Sequence, residues 1–268
     1  MQKTLLVILI AFCGQLIIHA QALDDIVERK IIKERKVLAY APLREADIFW
    51  ERRIWRIIDT REKMNQTFVY PQSPFFKILE TAALNGDVTL YSPENDKFSH
   101  PMNETEVEQI FYTTDTVEIF NPITYDPEIQ VVTSTLNWED VKRFRVKEVW
   151  YFDESTSTLK VRILGIAPLI NVYNDDGSFR HEKAMFWAYY PDLRERLARE
   201  KAYVVGNDAA QTTWDDLFEM RYFSSYIYKA SNIRDDRLQD VYTGLDLLLE
   251  ADKIKQEIFN FEHDLWSY

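Results

Sequence analysis

The sequence contains little of the material from which active sites are built. Its single cysteine, Cys13, falls in an apolar run near the amino terminus, and His100, His181 and His263 lie far apart in the rest of the chain. Its six glycines are scattered. These shortages exclude a disulfide framework, a paired-histidine metal motif, a glycine-rich phosphate loop and a Gly-x-Ser-x-Gly nucleophile elbow. No cofactor, metal or catalytic residue is expected.

Residues 1–20 predict a secretory signal peptide, because a basic start precedes the apolar run Leu5 to Ile18 and a small-residue exit. As a helix that run would be only ~21 Å long, against a hydrocarbon core of ~30 Å. Cleavage is expected after Ala20, with Ala22 offering a second site, and an uncleaved anchor is the alternative. Lipidation at Cys13 is not expected, because the residue lies within the run.

Acidic residues outnumber basic ones. The formal charge is −12, and it becomes −13 when Lys3 is removed with the leader. This balance argues against nucleic acid and against a surface that anionic lipid would attract. Protein partners, including basic ones, are favoured. Because no later run of about 18 apolar residues exists, we expect no membrane span in the mature chain.

The remaining chain predicts an amino-terminal arm and one domain. Residues 21–44 are charged without a regular period, which indicates an extended or weakly helical arm, and a disordered leader is the alternative. Residues 45–268 form the predicted single domain. Its first segment, about Arg44 to Arg61, places apolar residues at helical spacing and predicts a helix.

Further helices have clearer boundaries. One is predicted from Ser73-Pro74 to a left-handed exit at Asn85-Gly86, and a short one after the cap Asn103. After a helix over Asp192 to Lys201, Thr212 or Thr213 caps another, with an acid three residues later. The last helix follows Gly244, with apolar residues at steps of three or four. Those residues are Leu245, Leu248, Ala251, Ile254, Ile258, Phe261 and Leu265.

The middle of the chain predicts an antiparallel sheet. Residues 146–153 alternate with the strand period, and Ser155-Thr156-Ser157 turns the chain into a second strand, Leu159 to Ile166, which Pro168 should limit. Asn174 to Gly177 makes another turn before a third strand, Lys183 to Tyr190. The fold class is therefore α+β: an antiparallel sheet of three or more strands, about 145–190, packed with helices from the amino-terminal and carboxy-terminal parts.

Two carboxylate pairs could form chemical sites. Asp175-Asp176-Gly177 resembles the start of a calcium loop, but no acid stands at the required end, and a hairpin turn is the favoured interpretation. Asp215-Asp216 could act as an acid/base pair as in glycosidases. Neighbouring residues on a helix point about 100° apart, so the two carboxylates would not face one bond. Acidic residues also favour the start of a helix, which is the simpler explanation for this pair.

Aromatic and arginine groups leave two readings each. Trp150, Trp187, Tyr189 and Tyr190 could form a sugar-stacking platform or be buried in the sheet core, and burial is favoured. The arginines at positions 52, 53 and 56 could hold an anionic group, or pair with carboxylates within the chain or on a partner.

Several strings of uncommon residues occur in a fixed order along the chain. The strings are Arg44 to Asp47, Trp50, Arg53 to Arg56, Asp59, Arg61 to Met64, Tyr189 to Pro191, Asn207-Asp208, Thr213 to Arg221, Phe223 to Ile227 and Phe259 to Trp266. They span about residues 40–268, nearly the whole mature domain. Together they resemble the GldN/PorN family of the type IX secretion system.

The resemblance implies a periplasmic subunit that assembles with an outer-membrane lipoprotein of the GldK/PorK type into rings. It also implies contact with the periplasmic part of an inner-membrane motor of the GldL/GldM type. The leading hypothesis is a non-catalytic structural subunit that self-associates in a ring; a carbohydrate-binding module or glycoside hydrolase is the alternative, and a chaperone or peptide-binding adaptor a third. Candidate contact residues are Ile31, Arg52, Arg56, Trp214, Arg221 and Trp266.

Overall fold

The computed structural model describes residues 26–27, 29–120, 127–174 and 176–266, without the side chains of residues 113–133 and 266. The predicted signal peptide, 1–20, lies outside the described residues. Residues Ile32–Tyr268 form one compact unit. Within the described ranges, no helix combines the length and hydrophobicity that crossing a bilayer requires.

An antiparallel sheet of seven strands forms the centre of the fold, and a separate sheet has two strands. The strands are β1 (Ile48–Asp59), β2 (Leu90–Tyr91), β3 (Tyr112–Phe120), β4 (Pro127–Thr135), β5 (Arg143–Asp153), β6 (Thr158–Tyr173), β7 (Phe179–Ala184), β8 (Trp187–Tyr189) and β9 (Tyr226–Ala230). The order in the large sheet is β2-β8-β6-β5-β1-β9, with β7 added beside β6, and the small sheet pairs β3 with β4.

Helices come from both sides of the sheet segment in the sequence, so the predicted α+β class is confirmed. The α-helices are α1 (Phe75–Leu84), α2 (Glu104–Phe111), α3 (Tyr190–Leu197), α4 (Trp214–Glu219), α5 (Leu238–Val241) and α6 (Gly244–Trp266). Short 3-10 helices cover Glu45–Asp47, Lys63–Val69 and Trp138–Asp140.

The helix predicted over Arg44 to Arg61 is wrong, because most of this segment is strand β1. β1 pairs with β5 on one side and β9 on the other, so it is a central strand. Its last six residues are buried whichever face they point to. A strand buried on both faces loses the alternation that identifies strands, and its Ile and Trp residues favour strand over helix.

The predicted strands are confirmed, with two differences. β6 continues past Ile166 and through Pro168 to Tyr173, so the proline does not end it. The predicted strand Lys183 to Tyr190 is interrupted, because β7 and β8 pair with successive parts of β6. The turn before β7 includes Gly177 at φ 79°, a left-handed conformation that suits glycine.

The helix caps predicted at Asn103 and Thr213 are present in the structure. Asn103 accepts from the backbone N–H of Glu106, and the Glu106 carboxylate accepts from the Asn103 N–H, which completes a capping box. Thr213 and Asp216 form the same reciprocal pair at the start of α4. Helix α1 begins at Phe75, one residue later than predicted, and ends beside Gly86 at φ 74°.

The core lies on both faces of the sheet. The largest apolar cluster contains residues of the four helices α1, α2, α3 and α4, together with strand residues such as Phe144 and Ile166. On the opposite face of β1, Trp55 and Ile57 belong to a second cluster with Trp187. The sheet is therefore a buried central layer that positions the charged groups described below.

Helix α6 packs on the edge of this sheet through a narrow stripe. Ala251, Ile254 and Ile258 are buried against Ile54 of β1 and Ile227 of β9. These three helix residues belong to the predicted apolar series, whereas Leu245, Leu248 and Leu265 of that series are exposed. The predicted apolar series therefore includes residues outside the face of α6 that packs on the sheet.

Candidate protein-contact surface

The amino-terminal arm lies against the domain in an extended form from residue 35 to residue 44. Its first anchor is Arg35, whose guanidinium donates to both carboxylate oxygens of Asp216, at 2.7 Å each. Asp216 also caps α4, so the helix start and the arm share one carboxylate. Paired guanidinium-to-carboxylate bonds fix orientation as well as position. Residues 35 to 44 form neither helix nor strand.

Tyr40 is the second anchor of the arm. Its hydroxyl donates to Glu219 Oε1 at 2.6 Å, and its ring lies between the guanidinium groups of Arg162 and Arg194, 4.7 and 4.2 Å away. Arg162 also donates to the backbone oxygen of Ala41 at 2.9 Å. Burial, and then the bond to Glu219, raise the pKa of Tyr40 above its usual value. The hydroxyl therefore stays a donor at neutral pH.

A buried ion pair supports this anchor. Arg194 Nε and Nη2 donate to the two oxygens of Asp215 at 2.9 and 3.1 Å. The two side chains are 7% and 10% exposed. Tyr190, which is fully buried, donates from its hydroxyl to the same carboxylate at 3.2 Å. Asp215 is thus fully occupied in joining α3 to α4.

A second charged cluster is centred on Glu148 of the sheet. Glu148 of β5 is completely buried, and Arg221 Nη2 lies 2.9 Å from its Oε1. The indole N–H of Trp150 donates to Glu148 Oε2 at 3.0 Å. Arg56 donates to the Ser225 hydroxyl at 2.9 Å, and burial lowers the pKa of its guanidinium. Arg56 and Arg221 therefore share the field of one carboxylate.

Arg52 connects β1 to helix α6. Its Nη1 lies 3.0 Å from Glu257 Oε2, and both groups are partly exposed. Nearby, the rings of Trp50 and Phe261 stack with centroids 4.5 Å apart and planes 23° from parallel. Arg52 thus pairs with a carboxylate within the chain, and Arg53 lies 3.7 Å from Glu51, which is the internal pairing that the sequence left open for these two arginines.

The outer side of helix α6 carries large apolar side chains that the described residues of the chain leave exposed. Leu245, Leu248, Leu249 and Phe259 are 69%, 59%, 59% and 73% exposed. At 100° per residue all four fall within an arc of about 100°, next to the stripe that packs on the sheet and turned away from it. Exposed apolar rows of this kind mark protein-contact surfaces more often than isolated exposed residues do.

The predicted contact residues divide by accessibility. Ile31, just before the compact unit, is 65% exposed. Trp214 is 0% exposed and packs against Phe68 and Phe75, so it stabilises the core and cannot itself touch a partner of the folded chain. Trp266 ends α6, and its side chain lies outside the described side chains. The contact role of the accessible residues stays a prediction.

The residues of the alternative chemical sites take part in the packing, ion pairs and turns of the fold. Trp187 and Tyr190 are buried, so they cannot form an open stacking platform. Asp215 and Asp216 serve ion pairs, with Arg194 and Arg35. Asp176 accepts from the backbone N–H of Ser178 at 2.8 Å within the predicted turn, while Asp175 lies outside the described residues.

Sequence reasoning missed the arm anchors and Glu148. Arg35 and Tyr40 meet residues about 180 positions away, and no local pattern predicts such pairs. Glu148 did carry a signal, because it occupies an inward position of an alternating strand between Val146 and Trp150. A charged residue at such a position needs a buried partner.

Together these features define a class: an α+β protein with a central antiparallel sheet, charged residues that pair within the fold, and an exposed apolar helix face. The family described as "Gliding motility associated protein GldN" has a sequence model that matches residues 43–267. This match covers nearly the whole chain, and the chain belongs to that family. The predicted family resemblance is confirmed, and with it an association with gliding motility. No curated protein matches the chain.

Proposed function

We propose that this chain is a non-catalytic structural subunit of the gliding and type IX protein secretion machinery. Family membership over residues 43–267 carries the proposal. In this account the chain is exported to the periplasm by its leader and held at the inner face of the outer membrane by a lipoprotein of the GldK/PorK type. With that lipoprotein it forms a ring, which contacts a GldL/GldM-type motor.

The exposed face of helix α6 supports a role in binding. Its apolar side chains, including Leu248 and Phe259, remain largely exposed among the described residues. A partner that covered them would gain about 25 cal/mol for each Å² of apolar surface removed from water. We propose this face, defined by Leu245, Leu248, Leu249 and Phe259, as an assembly contact.

The fixed charges support a structural role in another way. Asp215 and Asp216 would be the acid/base pair of a hydrolase, but each holds a guanidinium that joins two elements of the fold. A general acid or base must reach a substrate proton, which these geometries do not favour. This observation weighs against the glycosidase alternative, and the burial of Trp187 weighs against a sugar platform.

Assembly can be tested by co-expressing the chain with its candidate lipoprotein and measuring the mass of the purified complex. The parent should elute as a high-mass particle. The double variant Leu248→Ser and Phe259→Ser should shift the chain towards free monomer, because it removes two exposed apolar groups of the helix face. Val205→Ser is the matched control, since Val205 is 81% exposed elsewhere on the surface. Equal loss with the control would contradict the assigned face.

Glycan binding tests the alternative function. Calorimetry of the purified chain with a glycan panel should show no saturable heat. Saturable binding that Trp187→Ala abolished, with the fold intact, would replace the assembly proposal by the carbohydrate-binding one.

A further inference from the structure

One face of the sheet collects basic side chains, although the chain as a whole is acidic. Strand alternation places Arg53 and Trp55 of β1 on the same side as Arg145 and Lys147 of β5, with Trp55 opposite Lys147 and also opposite Lys229 of β9. Two cations from outside the strands lie nearby: Lys97 is close enough to Lys147, and Arg237 to Arg145, to lower the pKa of those groups. We call the set the basic face; it comprises Arg53, Lys97, Arg145, Lys147, Lys229 and Arg237.

Aromatic rings organise the buried part of the basic face. The ammonium groups of Lys147 and Lys229 lie 5.5 and 4.5 Å from the ring of Trp55. Lys229 pairs with Asp235 at 2.7 Å, and Lys147 with Asp96 at 3.8 Å. These two lysines are therefore fixed in place and already have anionic partners.

Arg145 is different, because no anionic partner satisfies it within the described part of the chain. Its guanidinium rests on the ring of Tyr228, 4.6 Å from the centroid, and its Nε is buried without a hydrogen-bond partner. Burial lowers its pKa. Removing a cation from water without a compensating anion is costly, and a bound carboxylate would relieve that cost.

The carboxylates around Arg145 are committed elsewhere. Glu182 bonds to Arg143 at 2.6 Å, and Asp96 and Asp235 serve the two lysines. The exposed cations Lys97 and Arg237 form no ion pair with the described residues, and Arg237 is close enough to Arg145 to lower its pKa further. Arg53 lies 3.7 Å from Glu51. Among the described residues, Arg145, Lys97 and Arg237 are therefore the members of the basic face without a carboxylate partner.

We propose that the basic face binds a carboxylate-rich segment of a partner protein, with Arg145 receiving a carboxylate and Arg237 and Lys97 adding charge. Guanidinium groups pair with carboxylates through two parallel bonds, which suits Arg145. A peptide meets only this face, whereas an anionic membrane would also meet the repulsion of a chain with a net charge of −12. The proposal goes beyond ring assembly, because it needs no particular partner for helix α6.

The probe is a fluorescein-labelled peptide of about ten glutamates, titrated with the purified chain at low salt and followed by anisotropy. We expect saturable binding that weakens as salt rises, since exposed charges are screened. A glutamine peptide of equal length should not bind. Arg145→Gln with Arg237→Gln should weaken glutamate-peptide binding about tenfold or more, as expected when two charged contacts are lost.

The matched control is Arg199→Gln with Lys253→Gln, which removes the same charge from the turn after α3 and from helix α6. Arg199 pairs with Glu195 of α3, and Lys253 pairs with Glu250 on its own helix. Their double variant should bind within about twofold of the parent. Equal weakening in both double variants would overturn the proposal, because it would show an effect of net charge alone.

Two further outcomes decide the matter. Lys97→Gln with Arg237→Gln changes only exposed side chains, so it should weaken binding without altering the circular dichroism spectrum, even where Arg145→Gln disturbs the fold. Binding to anionic vesicles but not to the peptide would refute the protein-partner assignment. Failure of peptide binding while the lipoprotein complex still forms would sink this inference and leave the assembly proposal standing.

Discussion

Two phenylalanines on helix α6 separate fold stability from assembly. Phe261 stacks on Trp50 and meets the ring of Phe152 edge-on, with centroids 6.3 Å apart. Phe259, two residues earlier on the same helix, is 73% exposed. Replacing each by alanine removes the same atoms from the same helix. The two variants therefore compare a packed ring with an uncovered one.

The structure gives the size of the expected difference. A favourable ring pair is worth about 0.5 to 1.5 kcal/mol beyond area burial, and the partial burial of Phe261 adds to this. We expect Phe261→Ala to lower the free energy of unfolding by about 2 kcal/mol. For a chain of this size that corresponds to a fall of about 4 to 8 °C in Tm. Phe259→Ala should stay within about 0.5 kcal/mol of the parent.

Urea denaturation and thermal melting followed by circular dichroism measure both variants. Assembly with the lipoprotein should respond in the opposite order, because Phe259 belongs to the proposed contact face and Phe261 to the packed side. Equal destabilisation by the two changes would refute the placement of the helix on the sheet. A stable Phe259→Ala variant with unchanged assembly would refute the role given to its outer face.

The other predictions concern the charged anchors. Arg35→Gln should release the arm, raising hydrogen exchange in residues 32–44 at a cost of only about 1 kcal/mol, since the pair with Asp216 is partly exposed; unchanged exchange would refute the anchor. Asp215→Asn should lower the free energy of unfolding by about 3 kcal/mol because it leaves Arg194 buried without a full charge partner, and a change below 1 kcal/mol in urea denaturation would contradict this. Bonds from Arg61, and also from Arg143, hold the pKa of Asp59 well below its usual range. A lowered carboxyl pKa gives stability that is complete above the unfolded value of about 3.9 and is lost as pH falls. Asp59→Asn should therefore lower the free energy of unfolding at neutral pH and reduce the further loss of stability below about pH 4. Parallel curves of unfolding free energy against pH for the variant and the parent would exclude this linkage.

Local chemistry predicted much of the fold. The caps Asn103 and Thr213 were readable because each acts on residues within one helical turn. The alternation of residues 146–153 predicted β5, although both faces of this strand carry buried residues such as Val146 and Lys147. These signals depend on neighbours in sequence, which a chain displays without its fold.

Strand β1 and the arm could not be read in the same way. Burial on both faces removed the alternation of β1, and the spacing of Trp50, Ile54 and Ile57 then imitated a helix. Arg35 and Tyr40 look like ordinary polar residues until the fold brings α4 beside them. Trp214 is a predicted contact, yet it follows the helix cap Thr213 and its side chain is fully buried, which a local pattern does not reveal.

The mass of the complex formed with the candidate lipoprotein tests the central proposal most directly. The two proteins are co-expressed, purified through a tag on the lipoprotein, and measured by light scattering and sedimentation. The account predicts that the chain is retained in a particle many times heavier than its own 31.9 kDa. Recovery of the chain only as a free monomer would contradict it.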